Sequence, residues 1–166
     1  MTAQIGETLR YEGQELVMCD QPLSTYFARI NSYPEFEPSC TALWRGYVGT
    51  WEILARRLYL IGLVATMKDG SPVNLATLFP DYPERVFAHW YSGEIRVPRG
   101  KLLKYVHMGY GSTYEEDLLI AIEKGVVVST NIRRNGTSDR PDAPEGYGIG
   151  AMTVLSRDKP GASAGS

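Results

Sequence analysis

The stretch Ala42–Met67, ALWRGYVGTWEILARRLYLIGLVATM, is a hairpin written in aromatic and β-branched residues. Period-two alternation puts Leu43, Arg45, Tyr47, Gly49, Trp51 and Ile53 on one face of a first strand. Trp44, Val48, Thr50, Glu52 and Leu54 take the other. Gly46 and Gly49 inside it predict a bend, a bulge or an aromatic ring lying over bare backbone. Arg56-Arg57 marks an exposed turn. Leu58–Met67 is apolar on both faces, which predicts a central strand covered on both sides. Trp51 and Leu60, both mid-strand, are expected in the core.

Working outward, Glu7–Met18 reads ETLRYEGQELVM, and Glu12-Gly13 between two half-apolar runs predicts a second hairpin. Cys19–Thr41 is irregular, with Pro34 and Pro38 blocking regular structure and Leu23–Ile30 able to form a short helix starting near Ser24. After the central hairpin, Met67–Ser71 is turn chemistry. Asn74–Phe79 reads as one helical turn capped by Asn74 and stopped by Pro80.

Val86–Val97 reads as an aromatic strand pair or a bent strand. Pro98–Lys101 is then a turn, and Leu102–Tyr110 a further strand. Tyr114–Lys124 admits two readings. Thr113 and Glu116 match a helix capping box. Yet Leu118, Ile120 and Ile122 alternate, and Lys124-Gly125 suits a two-residue turn into the β-branched run Val126–Ile132, so a hairpin is favoured.

These elements predict a mainly β fold: an antiparallel meander forming a sandwich or partly open barrel, with one or two short helices. Residues 1–134 make a single β-rich domain. Residues 135–166 are mostly loop and a mobile tail ending in DKPGASAGS, with Ile149–Leu155 as a candidate final strand.

Length and charge narrow the function classes. A chain of 166 residues buries a core without disulfides or metals. Seventeen basic residues against nineteen acidic give a net charge of −2, which argues against nucleic acid as a partner. The longest apolar run, Leu58–Met67, is too short for a membrane helix, and the N-terminus lacks a signal-like apolar segment, so a cytoplasmic location is expected. Cys19 and Cys40 are expected to be free thiols.

Catalytic groups are scarce. The chain has two His and two Cys, with no HxH, HxxxH or CxxC spacing, so no metal and no cofactor is expected. It has no GxSxG and no phosphate-binding GxxxxGK[ST] loop. The GxG of Gly109–Gly111 reads as a plain turn, and Glu115-Glu116-Asp117 as solvated edge charges. No catalytic residue is assigned, and an enzyme is not the favoured reading.

Binding residues are the better candidates. Eleven Tyr and three Trp against four Phe favour half-wet sheet faces of the kind recognition surfaces use. Arg45, Glu94, Arg96, Tyr105 and His107 alternate with aromatic or apolar neighbours and are expected to share a wet sheet face. Glu52 joins them if a bulge shifts the alternation.

The pattern WRGY at 44–47, TWEI at 50–53, YSGEIR at 91–96 and YVHMGY at 105–110 resembles a group of uncharacterised small bacterial proteins over roughly residues 43–128. The resemblance implies a bacterial or phage source and a meander of strands. It brings no catalytic residue with it. The expectation is therefore a non-enzymatic protein-binding module, immunity-like or inhibitor-like, with another protein as partner and a homodimer allowed for. The alternative is a small-molecule binder or enzyme using a concave sheet face, with His107, Arg45 and Glu52 as its polar groups.

Overall fold

The computed structural model describes residues 3–106, 109–141 and 143. His107 and the tail, including Ile149–Leu155 and DKPGASAGS, lie outside the described residues. The chain is mainly β, with 49% strand and 11% helix. Nine strands are described: β1 (Glu7–Tyr11), β2 (Gln14–Met18), β3 (Tyr47–Leu54), β4 (Arg57–Thr66), β5 (Pro72–Val73), β6 (Val86–Phe87), β7 (Gly93–Lys104), β8 (Thr113–Glu123) and β9 (Val126–Arg134). Two short helices, α1 (Pro22–Arg29) and α2 (Leu75–Leu78), join them.

One sheet runs in the order β2-β1-β3-β4-β9-β8-β7, with β5 and β6 attached to β4. It curls without closing. A hydrogen bond from Cys19 N to Arg96 O, 2.8 Å, reaches between the chain just past β2 and β7. Among the named strands the pairing is antiparallel except at one place: β1 lies parallel to β3, with Thr8, Leu9 and Arg10 beside Thr50, Trp51 and Glu52. That pair makes the sheet mixed where a pure meander was expected.

Three hairpins turn on residue pairs with positive φ: Glu12-Gly13, Ala55-Arg56 and Lys124-Gly125. Positive φ at both central positions matches the strand twist and keeps the arms paired. The stretch that could have been helix, 114–124, is thus a strand of the β8–β9 hairpin. Tertiary pairing decides it, because Leu118, Ile120 and Ile122 all reach the core face.

The core is aromatic at one end and aliphatic at the other. Trp51, Leu60, Leu9, Leu58, Ile95 and Ile120 are fully buried. Phe27 of α1 packs edge-on against Tyr47, with ring centroids 6.1 Å apart. Asn74 caps α2 through a reciprocal pair of bonds with Thr77.

Four local expectations are corrected. The first strand of the central hairpin starts at Tyr47, not Ala42, because Thr41–Leu43 forms a 3-10 turn and Trp44–Gly46 carries it into β3. β4 is not covered on both faces: Val64 is exposed at 74%. Pro98–Lys101 is not a turn but the bulged middle of β7, where Gly100 takes a φ of +81° and the register with β8 slips. Glu115 fixes that bulge by accepting the Lys101 N–H at 2.9 Å. Finally, the strand expected over 102–110 stops at Lys104.

Candidate functional site

Arg45 follows the 3-10 turn, off the strand, and points inward. Its guanidinium donates to Glu7 Oε2 through Nη2 at 2.7 Å and Nε at 3.2 Å, and to the Ile5 carbonyl at 2.8 Å. Glu7 opens β1 and is fully buried. The Gly49 N–H donates to Glu7 Oε2 at 2.8 Å, and the Trp51 indole donates to Oε1 at 2.9 Å. The carboxylate therefore accepts four hydrogen bonds. Gly49 is glycine for steric reasons: a Cβ there would stand 2.6 Å from Glu7 Oε1 and 2.9 Å from Trp51 Nε1. Burial pushes the Glu7 carboxyl above its ordinary range, against the pull of Arg45 and the two other donors, the Trp51 indole and the Gly49 N–H. This cluster holds β1 to β3, and its groups are all turned away from solvent.

Arg96 is similarly engaged. From β7 it donates to Asp117 Oδ1 at 2.9 Å and to the carbonyls of Tyr110 and Ser112, each at 2.6 Å. Asp117 is only 1% exposed, so it is not the solvated edge charge that its acidic neighbours implied. Arg133 of β9 and Asn135 also donate to its Oδ2, at 2.6 and 3.0 Å. Burial works against the charge on Asp117, but the donated hydrogen bonds outweigh it and hold the carboxyl below the ordinary range.

The six sequence candidates are thus dispersed, with Glu94 exposed on β7. Arg45 and Arg96 are tied into separate ion pairs. Tyr105 is exposed at 44% on the connection beyond β7. His107 lies outside the described residues. Glu52 is the candidate that reaches an open site.

That site is a groove of about 770 Å³ between the β1–β2 tip, the β3–β4 tip and β9. Its upper wall holds Arg10, Glu12, Glu15, Glu52, Leu54 and Arg56. The Cα register aligns Glu15, Arg10, Glu52, Tyr59 and Phe87 in one row across five strands. This row lies on the outer face, because Leu9 and Trp51, the neighbours of Arg10 and Glu52 on their strands, are fully buried. Arg10 pairs with Glu15 at 3.4 Å on the surface. Arg85 lies 4.6 Å from the Tyr59 ring centroid, and Arg57 5.7 Å from that of Phe87.

The lower wall is β9, which was read from sequence only as a hairpin arm. It leaves β4 almost at once. Arg57 pairs with Val126. Arg56 and Val127 then exchange two bonds, Val127 N to Arg56 O at 2.8 Å and Arg56 Nη2 to Val127 O at 2.7 Å. Past Val127, among the described residues, no strand pairs with this edge of β9. Thr130 and Ile132 oppose the core residues Ile120 and Leu118 on β8, yet both are exposed, Ile132 at 47%. They stand on the core face where the sheet lacks a neighbour. The unusual run VVVSTNI was a sequence signal for this edge, but only the divergence of β4 makes it one.

Among the described residues, the other polar groups form no His/Cys/Asp/Glu cluster that could hold a metal ion. His89 sits exposed in a turn beside Trp90. Cys19 and Cys40 are free thiols. Burial pushes the Cys19 thiol up to about 12, so it stays protonated, and Cys40 is exposed. Among the described residues, no helix is long and apolar enough to cross a membrane. Comparison with family models, curated proteins and solved structures finds no match for this chain.

Proposed function

We propose that this chain is a protein-recognition module that binds its partner in the groove between the two hairpin tips and β9. The observation that carries this reading is the exposed core face of β9. Thr130 and Ile132 have the parity of buried residues but are exposed, and Thr130 lines a groove whose rim carries Arg10, Glu12, Glu15, Glu52 and Arg56. An exposed apolar strip rimmed by polar side chains is the usual mark of a docking surface. An immunity-like or inhibitor-like role is the form of protein recognition proposed.

The rival reading needs polar groups converging on a concave pocket. Arg45 faces Glu7 in the interior while Glu52 stands on the outer face, so these two do not converge.

A site-specific photo-crosslinker tests the reading. Placed at Leu54 on the groove rim, it should join the chain to one defined protein in the native cell. Placed at Val64 on β4, it should not. The recovered protein should then bind the purified chain, and Leu54→Asp should weaken that binding by about tenfold or more with the melting curve unchanged. Equal cross-linking from both positions, or unaltered affinity in Leu54→Asp, would remove the groove as the docking surface.

A further inference from the structure

We infer that the groove takes an extended segment of the partner as an added strand on β9, and that this segment carries a lysine or arginine for Glu52. The inference rests on the protein-recognition reading above and specifies its mode and partner chemistry.

Three observations converge. The first is backbone. β9 is paired to β8 along its length, but among the described residues its other edge has no strand partner after Val127. A strand edge with unpaired N–H and C=O groups is a template for one more strand. The second is shape. The groove lies against Val127, Ser129 and Thr130 and is closed opposite by Ile53 and Leu54 of the β3–β4 tip. A second copy of this chain would bring its own β8 alongside its β9 and meet that wall, whereas a single extended segment has no such flank. The third is charge. Arg10 is held by Glu15, and Arg56 by the Val127 carbonyl. Glu52 accepts no hydrogen bond and makes no ion pair among the described residues. Neither does Glu12, on the same rim. Arg56 keeps its charge, since a carbonyl does not cancel it, but three acids (Glu12, Glu15, Glu52) against two cations (Arg10, Arg56) leave the groove net negative, which fits a cationic residue.

Strand alternation fixes how the two chemistries combine. Side chains on one face of the added strand cover Thr130 and Ile132 and are apolar. Those on the other face emerge beside Glu52 and include the cation.

The probe is an acetylated, amidated heptapeptide of valines alternating with threonine, lysine and threonine, titrated into the full chain and followed by amide chemical shifts and hydrogen exchange. We expect saturable binding below about 1 mM, with slowed exchange at those β9 amides between Ser129 and Arg134 that point away from β8. Methylating alternate peptide nitrogens should abolish it. Glu52→Lys should weaken it by about tenfold or more, and a peptide with glutamate in place of lysine should regain that loss on Glu52→Lys. Absence of binding at that concentration, or binding indifferent to N-methylation, overturns strand addition. So does slow exchange of those β9 amides in the free chain, which would show the edge already filled; sedimentation then tells the chain's own segment from a second copy. If the cross-linked partner still docks at Leu54 while the heptapeptide results fail, protein recognition stands and strand addition falls.

Discussion

Glu7 and Asp117 are both withdrawn from solvent, at 0% and 1% exposure, yet their carboxyls shift in opposite directions. Glu7 has one guanidinium, itself buried, and its other donors are the neutral Gly49 N–H and Trp51 indole. Asp117 has two guanidinia, of which Arg133 is half in water, plus the Asn135 amide. The difference shows that burial alone does not set the fate of a carboxylate. The number of cations aimed at it, and whether those cations keep their own hydration, decides the sign.

The comparison is tested most severely by emptying the Glu7 side. Trp51→Ala removes a fully buried aromatic and also the donor to Glu7 Oε1. It should destabilise by at least about 3–5 kcal/mol in denaturant melts. A near-native midpoint would mean that the cluster does not hold β1 to β3.

Next come the cations themselves. Arg45→Met strands a buried carboxylate and should cost about 3–5 kcal/mol. Arg133→Met leaves Asp117 with Arg96 and Asn135, and Arg133 is 54% exposed, so its loss should cost about 1 kcal/mol or less. Equal effects of the two substitutions would erase the distinction between a sole and a shared counter-charge.

The smallest effect is on pH dependence, and its sign differs between the two groups. Asp117 has a folded value below the ordinary 3.8. Its contribution is therefore present above 3.8 and is lost as pH falls through the folded value. Asp117→Asn should flatten the acid limb of a stability profile. Glu7 has a folded value above the ordinary 4.5. Its contribution is full below 4.5 and declines as pH rises through the folded value. Glu7→Gln should lack that decline. Profiles that shift the same way in both variants would contradict the opposed directions.

Much of the fold was legible because it is local. Glu12-Gly13 and Lys124-Gly125 announce their hairpins by turn chemistry, and Trp51 and Leu60 announce the core by position. The site was less legible because its determinants are not local. Arg45 looks like a strand residue by alternation, and nothing in its neighbourhood says that Glu7 will receive it. Asp117 sits in an acidic run that reads as solvated until Arg96 and Arg133 arrive from two other strands. Of the named candidates, Glu52 reaches the groove by a route the alternation did not give: it was to join Arg45's face through a bulge, and it stands instead on the opposite, outer face of β3. The groove itself depends on where β4 and β9 part, and no single segment carries that information.

The parallel contact of β1 with β3 also has a consequence for the order of folding. The β3–β4 and β8–β9 hairpins join near neighbours and can form in about 1–10 μs. Glu7 and Gly49, by contrast, are 42 positions apart. Their meeting must wait for a long loop to close, an entropic debt that nearby contacts do not carry. During synthesis the first strand thus emerges well before the surface that receives it, and its edge facing away from β2 must remain open until β3 has left the ribosome. The N-terminal hairpin is in this sense a latch: made early, and seated only when β3 arrives.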